Sequence, residues 1–94
     1  MIRELVKKAW HERATINIGK RGITEEVLEE IRRQLKKHKV VKVKILRNCP
    51  LRRNYERKEI PYIIASKVNA KVMGVRGYVF ILARMRKLDS KLKA

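Results

Sequence analysis

The stretch INIGKRGITEEVLEEIRRQLKKHKVVKVKIL, Ile16 to Leu46, carries the signals that decide the fold. Its clearest part is TEEVLEEIRRQLKKHK. Thr24 is a good N-cap, and Glu25 and Glu26 stand where a helix dipole favours anions. Ile23 and Leu28 have the spacing of a hydrophobic staple, and Val27, Leu28, Ile31 and Leu35 form one apolar side. The spacing therefore predicts a helix that starts within a residue or two of Thr24. On its far side VVKVKIL alternates, Val41, Val43 and Ile45 facing one way and Lys42 and Lys44 the other, which is the pattern of a half-buried strand. On its near side ATINI is short and partly β-branched and reads as a strand.

Outward from this unit, IRELVKKAWHE places Ile2, Leu5, Val6, Ala9 and Trp10 on one helical stripe. The basic segment RNCPLRRNYERKE reads as a loop. Pro61 suits the first turn of a helix through YIIASKVNA, with Ile60, Ile64 and Val68 on one side. AKVMGV and YVFILAR follow as two strands around a turn at Arg76 and Gly77. The second is apolar from Tyr78 to Ala83, which marks a central strand covered on both faces. Met85 to Ala94 is a basic tail, frayed or weakly helical. The expected fold is α/β, of the two-layer α+β type. A first helix precedes βαβαββ, with one four-stranded mixed sheet over residues 1–84. Strands separated by helices should pair in parallel, and the last two should form a hairpin.

The 94 residues fit one domain; 26 Lys and Arg stand against 9 Asp and Glu, a formal charge of +17. Such an excess repels itself and fits an anionic partner, nucleic acid before membrane. The longest uncharged apolar run, Gly77 to Ala83, is far short of the roughly 20 residues that span a bilayer. The start carries no signal-peptide block, and the single Cys49 cannot form an internal disulfide, so a reducing cytoplasmic setting is expected. His11, His38 and Cys49 lack metal-ligand spacing, and no nucleophile–base pair is recognisable. Neither a metal, a cofactor nor catalysis is expected.

The turn Gly19-Lys20-Arg21-Gly22 has two readings. Glycines let a strand reverse tightly into a helix. They also let a backbone approach a polyanion closely, where the amides of a helix's first turn and two cations could hold phosphate. The turn is neither a Walker loop, since Arg21 follows Gly19-Lys20, nor a dinucleotide fingerprint, which needs a third glycine. It matches the GxxG loop that clamps a nucleic-acid backbone in KH domains.

With its helix, with VVKVK and with GVRGYVFIL, this loop resembles a stand-alone CRM domain, the YhbY-like family of RNA-binding proteins. The resemblance covers the chain to Arg84, apart from RATINI, where many relatives have a proline, and the unusually basic Arg47 to Glu59. It implies a fold similar to the C-terminal domain of initiation factor three. It also implies binding of structured RNA, ribosomal precursors or introns, with Gly19, Lys20, Arg21 and Gly22 in contact. A role in large-subunit ribosome assembly or RNA folding would follow, with ribosomal RNA as partner.

Further cations are candidates on charge alone. Lys36 and Lys37 close the long helix, where cations also suit the dipole, and Arg32 and Arg33 read as helix ion-pair partners, Glu29 with Arg33 at i,i+4. Lys42 and Lys44 form a strand's polar face. Arg52, Arg53, Arg57 and Lys58 surround Tyr55, which could stack a base or pack on the core. Arg76 reads as an exposed turn cation, and Trp10 and Phe80 as core. A basic chromatin protein of the Alba type is the alternative, distinguished by dimers and a preference for duplex DNA. The charge of +17 favours a monomer when free of RNA.

Overall fold

The computed structural model describes residues 2–85. In chain order it comprises α1 (Ile2–Trp10), β1 (Ile16–Ile18), α2 (Glu25–His38), β2 (Val40–Ile45), α3 (Leu51–Asn54), α4 (Ile60–Val68), β3 (Ala70–Arg76) and β4 (Val79–Arg84). Apart from Met85, the basic tail lies outside the described residues.

The four strands make one mixed sheet in the order β1-β2-β4-β3. β1 and β2 are parallel, Ile16 opposite Val43, while β4 is antiparallel to both β2 and β3. The helix between β2 and β3 does not therefore bring them together as parallel neighbours, as strand–helix–strand order alone would suggest. β4 lies between them. It is the strand that is apolar on both faces, so it gains most from a place where both are covered. β3 carries Lys71 and Arg76 and takes the edge, where charge hinders unwanted pairing.

The α2–α4 face of the sheet holds the core, in which Ile18, Val43, Ile45, Phe80 and Leu82 join Ile31, Ile60 and Ile64. Thr24 caps α2, its Oγ1 accepting from the Val27 amide at 3.1 Å, and half-buried Ile23 lies against the core near buried Leu28. The outer face of α2 carries ion pairs at i,i+3, Arg32 with Glu29 at 2.6 Å and Arg33 with Glu30. The i,i+4 pair of Glu29 with Arg33 is not formed. Arg32 instead reaches across to the Lys67 carbonyl at the end of α4, 3.0 Å away, which turns it towards Glu29.

α1 covers part of the opposite face, where Ala9, Ile81 and Ala83 are buried. Trp10 is not a core residue. It is half-buried against β3, and a Cβ on Gly74 would sit 2.9 Å from its Cζ2. Gly74 follows an irregularity that leaves Met73 unpaired between Val72 and Gly74. A glycine inside a strand is thus the place where a ring approaches the backbone closely.

The expected loop after β2 contains one turn of helix, α3. Pro50 precedes it in helical conformation (φ −57°), buried Leu51 anchors it and the Tyr55 amide closes it on the Leu51 carbonyl. Pro61 lies in the first turn of α4, whose Ile60, Ile64 and Val68 are all buried.

Candidate nucleic-acid interface

Gly19 to Gly22 form a tight turn, the Gly22 amide donating to the Gly19 carbonyl at 2.9 Å. Lys20 and Arg21 take its two central positions and are exposed. Gly22 has φ +67°. Residues with a Cβ lose about 1–2 kcal/mol in that conformation. A Cβ there would meet Pro50 only at an ordinary 3.6 Å, so the requirement is conformational and not one of space. Gly22→Ala is therefore expected to lower stability by about 1–2 kcal/mol in urea denaturation, and RNA binding with it. Gly22→Asn, tolerant of this conformation, should recover much of the stability. Equal losses in both variants would mean that crowding, not backbone conformation, demands the glycine.

The turn is propped by the segment after β2. Leu46 Cδ1 and Asn48 Oδ1 lie 3.2 and 3.4 Å from where a Gly19 Cβ would stand. The Leu46 amide donates to the Ile18 carbonyl at 2.8 Å. Arg52 ties this segment to the sheet: it donates to the Ile45 carbonyl at 2.7 Å, and its guanidinium lies 3.6 Å from the centre of the Tyr78 ring. These two contacts commit the side chain to structure, and among the described residues its buried Nε has no hydrogen-bond partner.

The hairpin between β3 and β4 ends beside these groups, because the Ile45 amide donates to the Tyr78 carbonyl. Gly77, at φ +61°, takes the first of its two turn positions, the place a type II′ turn gives to glycine. One end of the sheet thus gathers the Gly19–Gly22 turn, Lys44, Arg47, Arg53 and Arg76. Among the described residues none of Lys20, Arg21, Lys44, Arg47 or Arg53 has an ion-pair partner.

Other sequence candidates lie elsewhere or are engaged. Lys36 and Lys37 close α2 at its other end, about 20 Å from the turn by the rise of a helix. The Lys36 carbonyl accepts from Arg84. Lys42 donates to the Trp10 and Glu12 carbonyls at 3.2 and 2.6 Å, satisfying the free end of α1. Tyr55 does not pack on the core; it is 44% exposed.

The first turns of α2 are not an anion cradle. Thr24 takes the Val27 amide, and Glu25, Glu26, Glu29 and Glu30, four of the chain's nine acids, line the outer face of α2. The hydrogen bond from Gln34, with Arg33 alongside, holds the Glu30 carboxyl below its ordinary range. Its small stabilisation is present at neutral pH and lost on acidification through that lowered value. These carboxylates repel a polyanion from α2, which leaves the turn tip and the sheet side as the favourable approach. The phosphate-binding potential rests on side-chain cations, not on the helix dipole.

Arg47 was not singled out by the sequence; nothing but its place in a basic segment marks it. Arg76 lies with its guanidinium 4.2 Å from the Trp10 ring centre, a contact worth about 0.5–1 kcal/mol at an exposed site. Gly74, isolated within a strand pattern, was the available signal for the close approach of Trp10.

The mixed four-stranded sheet with its covering helices has known counterparts. The model of the CRS1/YhbY (CRM) domain matches residues 1–84, and the chain belongs to that family. It is 39% identical over 87 residues to a protein of Methanocaldococcus jannaschii that carries the name probable RNA-binding protein. The match takes in 92% of this chain and 62% of that relative's length. A solution structure from Staphylococcus aureus, of a hypothetical protein put forward as RNA-binding, superposes with a TM-score of 0.67. It covers 90% of this chain and 84% of its own at 24% identity, and shows the fold alone.

Proposed function

We propose that this protein binds structured RNA without catalysing a reaction, and that it does so as one domain over residues 1–84. The observation that carries the reading is the gathering of unpaired cations around the Gly19–Gly22 turn in a chain of charge +17. CRM-domain membership and the name of the archaeal relative support RNA as the polyanion. Lys20 and Arg21 contact phosphates, with Lys44, Arg47, Arg53 and Arg76 extending the contact along the sheet end. The fold-level reading is assistance to ribosomal RNA folding or large-subunit assembly in the cytoplasm, by charge neutralisation and shape recognition. Among the described residues no helix is long and apolar enough to cross a membrane.

Sequencing the RNA that co-purifies with the protein tests this most broadly. Enrichment of large-subunit ribosomal RNA is expected; enrichment of duplex DNA instead would overturn it in favour of a chromatin role.

The free protein is expected to be a monomer. The edge strand β3 exposes Met73 and Val75, which could pair two copies, but Lys71 and Arg76 on the same strand and the overall charge oppose it. Light scattering at moderate salt should give the mass of one chain, and a stable dimer would contradict this.

A further inference from the structure

The α1 face of the sheet is covered only in part. Beyond Trp10, between the end of α1 and the β3–β4 hairpin, it opens into a cleft of about 520 Å³. That is within the range of about 300–1,000 Å³ typical of small-ligand pockets. Trp10 and Val79 give it an apolar wall and floor, Asn17 offers a side-chain amide, and Arg13, Lys44 and Arg76 surround them with positive charge. Among the described residues no carboxylate lines it.

We infer that this cleft accepts an unpaired nucleotide of the bound RNA, its base against Trp10 and Asn17 and its phosphates on Lys44 and Arg13. The inference rests on the RNA-binding reading above and adds a second contact to it. A duplex keeps its base faces stacked inside the helix, so an aromatic wall has no face to receive. An unpaired base uses both wall and amide, by stacking and by hydrogen bonding along its edge, while its flanking phosphates need cations nearby. Lys42, the fourth cation of the cleft, is spent on the Trp10 and Glu12 carbonyls. Its bonds fix the end of α1, and so fix Trp10 in place. Arg76 rests on the Trp10 ring through a weak contact that a base can displace, which would free its guanidinium for a phosphate. The cleft also adjoins the main interface. Asn17 pairs with Lys44 across β1 and β2, two residues before Gly19, so a strand leaving the turn reaches the cleft directly.

Trp10 is the chain's single tryptophan, so its emission reports on the cleft alone. Titration with a single-stranded hexa-adenylate RNA should quench it saturably, and a blunt RNA duplex of equal length should not. In Arg13→Gln/Lys44→Gln, both exposed positions, the apparent Kd for the hexamer should rise roughly fivefold or more with the urea midpoint unchanged. Anisotropy of a labelled structured RNA is followed in parallel. If the structured RNA binds but the hexamer leaves Trp10 emission unchanged, the cleft inference fails and the RNA-binding reading stands. Equal quenching by duplex, or by the hexamer in the double variant, also overturns it. If neither RNA binds, the functional reading falls, and the inference with it.

Discussion

Phe80→Ala is expected to cost about 3–5 kcal/mol, the range for truncating a fully buried phenylalanine. Phe80 is 1% exposed near the start of β4, opposite Val43 on one side and Val75 on the other. It belongs to the cluster that contains Ile31 and Ile64 of the covering helices. Because β4 is inserted between β2 and β3, the ring joins the parallel β1–β2 pair to the terminal hairpin, and a cavity there loosens both. A small domain has about 5–15 kcal/mol in all, so the variant should melt roughly 15–30 °C lower and leave a measurable unfolded fraction. Val75→Thr is the control. Val75 neighbours Phe80 on the same sheet face but is 41% exposed, and its change should stay within about 0.5 kcal/mol. Thermal melts that give the two variants similar losses would show that β4 is not the centre of the sheet.

Lys20→Ala/Arg21→Ala should have the largest effect on binding with almost none on folding. Among the described residues neither side chain makes an ion pair or hydrogen bond, and the turn is held by its backbone and Gly22. Each phosphate contact contributes roughly 0.7–0.9 to the slope of log K against log salt. Between 0.05 and 0.2 M salt the parent's affinity for structured RNA should therefore fall about tenfold more than the double variant's. Parallel slopes with unchanged affinity would reduce the glycines to turn formers and move the RNA to Lys44, Arg47 and Arg53. The double variant is a cleaner test than any change at Gly22, where the positive φ makes stability and binding fall together.

Much of this was legible in the sequence because the relevant signals are local. The start of α2 follows from Thr24 and its staple, and the apolar run in YVFILAR placed β4 centrally. The order of strands was harder to read. Periodicity reports which faces a strand buries, but not which strand stands beside it, so the separation of β2 from β3 by β4 appears only in the fold. α3 escaped because one helical turn is too short to show a period. Side-chain commitments were invisible for a related reason. Lys42 and Arg52 read as free cations beside Lys44 and Arg53, yet each is bound to backbone carbonyls supplied by distant segments. Basicity marks a chain for a polyanion, but only the tertiary contacts say which cations remain available to it.

The central claim is that RNA is held at the end of the sheet bearing the Gly19–Gly22 turn, and it is tested most directly by amide chemical-shift mapping of the labelled protein during titration with structured RNA. Shifts should concentrate at Gly19 to Gly22, Lys44, Arg47, Arg53 and Arg76, and leave Lys36 and Lys37 at the far end of α2 unmoved. Shifts concentrated at Lys36, Lys37 and Arg84, with the turn silent, would contradict it.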